Sequence, residues 1–168
     1  MFRPMRRSRQ ELTRRESDEI LYAGSSGVLA LSGGGWPYAV PLSYVYDGEK
    51  IYFHCAKSGH KLDAVKNDER ASFCVVARDE VVPEKFTTLF KSVIVFGRVR
   101  VLENDAEKRA AIEKLARKYS PGESAESTND EIERFWNALC MLEMSAEHVS
   151  GKQCKELVPK PEATNGTA

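Results

Sequence analysis

The segment from His54 to Lys61 has the residue types and spacing to bind a charged ligand. It contains two lysines and two histidines but no acidic residue. It lies where a predicted strand ends and a predicted short helix begins. The first turn of a helix presents unpaired N–H groups and a partial positive charge, which suit a phosphate group. Gly59 allows the backbone to approach an anion closely, and Lys57 and His60 add charge and hydrogen-bond donors.

Composition alone leaves two interpretations of this basic segment. It is either a cradle for a phosphorylated ligand or a solvated polar loop before an ordinary helix start. Cys55 is likewise either a reactive thiol, if its basic surroundings lower its pKa, or a plain buried strand cysteine. His54 and Cys55 point to opposite faces of a continuing strand, so chelation by both is awkward. No metal site is predicted, and the four cysteines of the chain are expected to be free thiols.

The flanking sequence predicts the elements that position this segment. Strands over 28–31, 38–46 and 50–55 form a three-stranded meander, and Asp47-Gly48 is the hairpin turn between the last two. Pro41 cannot donate a ladder hydrogen bond and therefore indicates a sheet edge or a bulge. The other predicted elements are a helix over 14–23 with a capping box at Thr13 and Glu16, a strand over 71–78, a polar loop over 79–88, a strand over 89–101, a helix capped by Asn104 or Asp105 that reaches about Tyr119, a helix with a capping box at Thr128 and Glu131, and a strand over 141–149.

Antiparallel neighbours dominate this order of elements. The sequence therefore predicts a mainly β, α+β fold: a small closed or partly open β-barrel with peripheral helices. Residues 1–12 form a basic arm, 13–157 the folded domain and 158–168 a disordered tail. The arm contains Arg6, Arg7 and Arg9, whose role stays open. Phe135 and Trp136 continue an apolar helical stripe, expected to pack in the core or at a dimer contact; alternatively, Trp136 caps a substrate pocket.

The overall charge and hydropathy exclude several classes of protein. Twenty-five basic and 25 acidic residues give a net charge of zero, which argues against a dedicated nucleic-acid binder. The longest apolar-rich stretch, 20–46, is interrupted by glycines and prolines, so no membrane-spanning helix is predicted. Residues 1–15 carry six arginines but no apolar segment of signal-peptide form. A cytoplasmic protein is expected.

Four blocks of the sequence, taken together and in order, resemble the pyridoxamine phosphate oxidase-like flavoproteins. The blocks are 38–45, 51–63, 90–99 and 149–152. They are most similar to the nitroimidazole-resistance (Nim) branch of that family, and the likeness extends over roughly 8–155. The resemblance implies an FMN-binding split β-barrel that works as a homodimer, with the flavin at the subunit interface.

The resemblance also implies which residues contact FMN. They are Val40, Pro41, Leu42, Ser43 and Tyr44 along the isoalloxazine ring, His54, Cys55 and Ala56 beside the ribityl chain and ring, Lys57, Gly59, His60 and Lys61 around the phosphate, and Phe90 and Ser92 on the strand that reaches toward the flavin of the partner. His60 stands where the family often has arginine, and a neutral histidine is a weaker partner for an anion. His54 is either a catalytic residue at the substrate site or a satisfied histidine at the end of a barrel strand.

The function implied by the resemblance is that of an FMN-dependent oxidoreductase. An external donor reduces the flavin, which passes electrons to a small aromatic acceptor such as a nitro compound or a quinone. A nicotinamide donor would bind transiently over the ring, since Gly33-Gly34-Gly35 lies between strands and is not a dinucleotide fingerprint. The alternative is a binding module that holds flavin, another phosphorylated ligand or a tetrapyrrole as a sensor or carrier, without turnover.

Overall fold

The structure is a computed structural model that describes residues 2–33 and 35–159. These residues form four helices and seven strands: α1 (Arg14–Ala23), β1 (Ser26–Gly33), β2 (Trp36–Ser43), β3 (Val45–Tyr46), β4 (Lys50–Ala56), α2 (His60–Asn67), β5 (Arg70–Val82), β6 (Thr87–Val101), α3 (Asp105–Tyr119), α4 (Ala125–Phe135) and β7 (Leu139–Gln153). Short 3-10 helices lie at Ser8–Gln10, Pro83–Lys85 and Lys155–Leu157.

All seven strands belong to one antiparallel sheet in the order β2-β1-β5-β6-β7-β4-β3. The two end strands, β2 and β3, follow each other in the chain and are separated only by Tyr44. The two ends of the sheet must therefore meet, and the sheet curves into a split barrel. This confirms the predicted mainly β, α+β architecture with peripheral helices.

The chain between residues 28 and 55 is not the predicted three-stranded meander. The single strand predicted over 38–46 is two strands, because β2 pairs with β1 and β3 pairs with β4. The break comes at Tyr44, whose ring is fully buried and whose hydroxyl donates a 2.8 Å hydrogen bond to the carbonyl of Leu21. Pro41 is on β2 and lies opposite Val28 of β1. β2 pairs only with β1, so the predicted sheet edge is confirmed.

The barrel core is built around three aromatic rings that pack edge to face. The Phe73 ring packs edge-on against Tyr44, with ring centroids 4.8 Å apart, and against Phe53 at 5.0 Å. All three side chains are buried. Alternate residues of the flanking strands complete the core, as expected for strands with one face inward; they include Leu29, Leu31, Ile51, Val75, Val93, Val95, Val99, Leu142 and Met144.

The prediction of a polar loop over 79–88 is wrong, because most of that range is strand. Beyond a bulge at Ala77, β5 and β6 pair as far as Val82 and Thr87, and only Pro83 to Phe86 form the turn. The polar side chains lie at the surface of this hairpin, where Arg78 pairs with Glu80 at 2.5 Å. A hairpin with solvent on both faces lacks the apolar alternation that marks a half-buried strand.

The helix starts depend on their caps. The Thr13–Glu16 capping box of α1 and the Asn104 cap of α3 are confirmed. The predicted capping box at Thr128 and Glu131 is wrong, because α4 begins earlier, where the Ser124 side chain accepts a hydrogen bond from the backbone N–H of Ser127. The predicted strand over 141–149 is confirmed but is longer at both ends, because β7 begins at Leu139 and ends at Gln153.

The N-terminal arm packs against β7. The backbone N–H of Leu12 donates a 2.9 Å hydrogen bond to the carbonyl of Gly151, and the ring of Phe2 stacks on His148 with centroids 4.6 Å apart. A Cβ on Gly151 would overlap the hydroxyl of Ser17, so only glycine allows this approach. Of the predicted tail, residues 160–168 lie outside the described residues. Within the described part of the chain, no helix combines the length and apolar character needed to cross a membrane.

Candidate functional site

A cleft of about 1210 Å³ lies between helices α3 and α4 and the end of β4. Its helical wall is apolar and includes Ile112, Leu115, Ala116, Ile132 and Phe135. Its opposite wall contains Ser43, His54, Cys55 and Ala56, and its rim contains Glu123, Glu126, Asp130, Glu131 and Arg134. A concave site of this size, with an apolar wall and a polar rim, suits a small aromatic molecule.

The cleft brings together four residues that the resemblance assigned to the flavin. Ser43 ends β2, whereas His54, Cys55 and Ala56 end β4. His54 is exposed because its neighbour Phe53 occupies the inward position of the strand. The imidazole is therefore accessible to a molecule in the cleft.

Cys55 is not activated as a nucleophile. It lies directly opposite Cys140 in the β4–β7 ladder and is half-buried. Burial raises the pKa of its thiol to about 12, and the nearby Cys140 adds to that rise, while the charge of Lys61 opposes it. The thiol therefore stays protonated at neutral pH, which supports the plain strand cysteine over the reactive one. Across residues 2–33 and 35–159, no cluster of three or more His, Cys, Asp or Glu side chains is arranged to hold a metal ion.

The basic segment continues from the cleft into the start of α2. Gly59 precedes the helix with a φ of 129°, a conformation that favours glycine. None of the described side chains caps this end of α2, and the backbone N–H groups of His60 and Lys61 are in its first turn. The His60 ring stacks on Tyr38 of β2 with centroids 4.3 Å apart. Lys57 and His60 are exposed, and Lys61 is half-buried.

The remaining predicted site residues lie on β2 and β6. Val40 and Leu42 are half-buried against the core, Pro41 is exposed, and the ring of Tyr44 is inside the barrel. Phe90 and Ser92 are half-buried on β6 and do not line the cleft. Trp136 also stays outside the cleft lining, where the Lys108 ammonium lies 3.9 Å from the centre of its ring.

Residues 13–153 match the family model of pyridoxamine 5'-phosphate oxidase. The chain belongs to this family. No curated protein shows significant sequence similarity to it.

Solved structures share the fold at low sequence identity. A conserved hypothetical protein from Mycobacterium tuberculosis is 18% identical, with 98% of this chain and 100% of that chain covered and a TM-score of 0.77. A Bacteroides thetaiotaomicron protein assigned to 5-nitroimidazole antibiotic resistance is 17% identical, with 85% and 86% covered and a TM-score of 0.73. An FAD-binding protein from Mesorhizobium loti is 24% identical, with 86% and 95% covered and a TM-score of 0.60. These similarities confirm the split-barrel fold.

The helical wall of the cleft, and Tyr119 in particular, were not among the predicted site residues. The Tyr119 hydroxyl accepts a 2.9 Å hydrogen bond from the backbone N–H of Tyr44 and lies 2.8 Å from the Tyr44 carbonyl; it also contacts the carbonyl of Ser25. It thus satisfies the backbone at the break between β2 and β3. The only sequence signal for this role is the i, i+4 spacing of Ala111, Leu115 and Tyr119, which marks the inward face of α3.

Replacing Tyr119 with phenylalanine is expected to lower the free energy of unfolding by about 1–3 kcal/mol, because the Tyr44 N–H loses its acceptor in a part-buried position. Urea denaturation measures the change. Tyr22→Phe is the matched control, since Tyr22 is largely exposed and its hydroxyl bonds to no residue in the described ranges. Equal losses in the two variants would contradict the assigned role of the Tyr119 hydroxyl.

Proposed function

We propose that this protein is a homodimeric FMN-binding oxidoreductase that reduces small aromatic acceptors. The proposal rests on one observation in this member of the family: a basic helix start directly follows a strand end that lines a cleft. The uncapped, basic start of α2 leads directly from the strand end that lines the cleft. Only three residues, Lys57 to Gly59, separate the end of β4 at Ala56 from the start of α2 at His60.

The basic segment fits the phosphate of FMN. In the part of the chain that the structure describes, no side-chain cap at the start of α2 competes with a ligand, and Gly59 precedes the helix with a φ of 129°. Lys57, His60 and Lys61 surround this point, and no carboxylate in residues 2–33 and 35–159 forms an ion pair with them. Their charges and donors are therefore available to an anion.

The ring of a flavin needs an apolar wall beside polar backbone, which β2 and the cleft offer. Val40 and Leu42 provide half-buried apolar surface on one face of β2, and Ser43, on the other face, lines the cleft. The similar Mesorhizobium loti protein is FAD-binding, which supports a flavin in this fold. When bound, the flavin supplies the electron-transfer chemistry that the side chains themselves lack.

In the proposed dimer, a second copy of the chain packs against the outer face of the sheet. Rows of uncharged residues cross β2, β1, β5 and β6 on that face: Pro41, Val28, Cys74 and Ile94 in one row, and Ala39, Ala30, Ser72 and Phe96 in the next. Val28 is 40% exposed and Ile94 is 37% exposed. Such an apolar face is typical of an interaction surface. Phe90 and Ser92 lie four and two residues before Ile94 on β6, so the three side chains are on the same face. A partner subunit on that face would contact them.

Replacing Ile94 with lysine is expected to convert the proposed dimer to a monomer, since a two-fold axis would bring two unpaired charges into an apolar contact. We expect the dimer dissociation constant to rise by about 100-fold or more. Sedimentation velocity measures the mass, and Ala110→Lys on the exposed side of α3 is the control for added charge. A variant Ile94→Lys that sediments like the unmodified chain would rule out this face as the dimer contact.

The charges around the cleft favour an uncharged or cationic acceptor. Four carboxylates and one arginine line the rim, and that arginine, Arg134, lies 3.7 Å from Glu131. An anion such as pyridoxamine 5'-phosphate would meet net negative charge there. The exposed imidazole of His54 in the cleft wall can hydrogen-bond such an acceptor. The similarity to the Bacteroides thetaiotaomicron protein supports a nitroaromatic acceptor.

Anaerobic absorbance spectroscopy of the FMN-loaded protein tests the activity. We expect reduced nicotinamide to bleach the flavin bands and a nitroimidazole to restore them. Because of the acidic rim, 4-nitrobenzoate should restore them more slowly than the uncharged nitroimidazole. A protein that holds FMN but is neither bleached nor reoxidised would instead be a flavin sensor or carrier.

A further inference from the structure

Two cysteines lie directly opposite each other on neighbouring strands of the barrel. Cys55 of β4 pairs with Cys140 of β7 in the antiparallel ladder, and both are free thiols. Side chains at directly opposed positions project from the same face of a sheet. The next pair on that face is Phe53 with Leu142, and both of these side chains are fully buried in the barrel core. The two thiols therefore lie side by side at the end of the core, and we call them the thiol pair.

The thiol pair has the spacing that allows both sulfurs to bond to one common atom. Directly opposed residues of an antiparallel ladder have Cα atoms about 4.5 or 5.5 Å apart, according to whether the pair is hydrogen-bonded. Both separations fall within the range of about 4.4–6.8 Å over which two cysteines can be joined without moving the backbone. Cys140 belongs to the buried core, and Cys55 packs against it. A bridge between the sulfurs therefore fits the existing strand register.

The thiol pair is accessible on the side of Cys55. Cys55 is half-buried and lines the cleft, whereas Cys140 is only 8% exposed. The other two cysteines of the chain have no opposed cysteine among the described residues: Cys74 lies opposite Ile94 in the β5–β6 ladder, and Cys154 follows the end of β7. A reagent that needs two neighbouring thiols is therefore expected to select the thiol pair.

The protonation of Cys55 restricts the chemistry of the thiol pair. Zinc and similar cations bind thiolates and have to displace thiol protons, whereas burial raises the pKa of the Cys55 thiol to about 12. In residues 2–33 and 35–159, no further His, Cys, Asp or Glu joins the two thiols to form a metal cluster. A trivalent arsenical R–As(OH)2 meets neither obstacle. It needs only two sulfurs, and each As–OH group leaves as water with the proton of the thiol that replaces it.

We infer that the thiol pair binds a trivalent arsenical of the type R–As(OH)2. Two As–S bonds form, while two As–O bonds and two S–H bonds break, and two water molecules are released. No oxidant or reductant is required, because arsenic stays trivalent and both sulfurs keep their oxidation state. The second As–S bond forms within one molecule, so the thiol pair binds the arsenical far more tightly than a single thiol does. The reaction does not require a flavin.

Intact mass spectrometry of the full chain, reduced with a phosphine and mixed with phenylarsonous acid, tests this site. We expect one adduct per chain, in which a phenylarsenic group replaces two hydrogens. The adduct should persist in about 1 mM glutathione, a monothiol, because the effective concentration of the second cysteine is at least in that range. Excess dithiothreitol, a dithiol, should remove it.

Variants assign the adduct to the thiol pair. Cys55→Ala and Cys140→Ala should each lower the affinity for phenylarsonous acid at least about 100-fold, since each leaves a single thiol. Cys74→Ala/Cys154→Ala is the matched control and should stay within about twofold, because it keeps both opposed thiols. Circular dichroism shows whether each variant is folded. Cys55→Ser, which replaces one atom at a half-buried position, gives the same test if an alanine variant does not fold.

The inference is overturned if the folded chain forms no adduct, if the adduct forms only in urea, or if glutathione removes it. It is also overturned if a folded Cys55 or Cys140 variant binds as tightly as the unmodified chain, or if the Cys74→Ala/Cys154→Ala control loses affinity equally. A chain that takes up no FMN but forms the Cys55-dependent adduct would support the thiol pair while contradicting the proposed flavin site.

Discussion

Replacing Lys61 with glutamate is expected to weaken FMN binding by about 100-fold, the range expected when a charge-assisted contact to phosphate is lost and replaced by repulsion. Lys61 is half-buried in the first turn of α2, where the backbone N–H groups and Gly59 are open to a ligand. The reversed charge would face a phosphate dianion from the same position.

Riboflavin, which has no phosphate, makes this prediction specific. Its affinity should change by less than about twofold in Lys61→Glu, because the lost interaction is with the phosphate alone. Lys66→Glu is the matched control, since Lys66 is exposed in the last turn of the same helix. Fluorescence titration measures both ligands. Equal loss of FMN and riboflavin, or an equal effect of Lys66→Glu, would remove Lys61 from the phosphate site.

The largest expected loss of stability comes from Phe73→Ala, at about 3–5 kcal/mol in the free energy of unfolding. Phe73 is fully buried and its ring contacts both Tyr44 and Phe53. Truncation leaves a cavity beside the residue that separates β2 from β3. The close packing of these rings limits how far the site can collapse.

Val76→Ala on the same strand is the matched control, because Val76 is 61% exposed and points outward. Its effect should stay within about 0.5 kcal/mol. Urea denaturation compares the two variants. A loss below about 1 kcal/mol for Phe73→Ala would mean that the inward face of β5 is assigned to the wrong residues.

The sequence predicts those parts of the fold that depend on neighbouring residues. The capping box of α1 and the Asn104 cap of α3 are local hydrogen-bond patterns, and both are confirmed. The break at Tyr44 was not predictable in this way, because it depends on a hydroxyl 75 residues away, that of Tyr119. α4 was misplaced for a different reason: Ser124 and Thr128 are both acceptable caps, and local sequence does not choose between them.

The candidate site was also predictable only where it depends on residues that are neighbours in the chain. The basic segment was predicted because its charges are contiguous in the chain and precede a helix, and α2 begins within it. The cleft was not predicted as a whole, because α3 and α4 reach it only through tertiary packing. His54, Cys55 and Ala56 do lie in its wall, but nothing in their spacing indicates the acidic rim opposite them.

Titration of the purified chain with FMN, followed by sedimentation of the complex, tests the central claim most directly. We expect quenching of flavin fluorescence that saturates at one FMN per protomer, with the flavin absorbance sedimenting at the mass of a dimer. A chain that leaves the FMN fluorescence unchanged, or sediments free of flavin, would contradict the claim that this protein is a flavin-binding dimer.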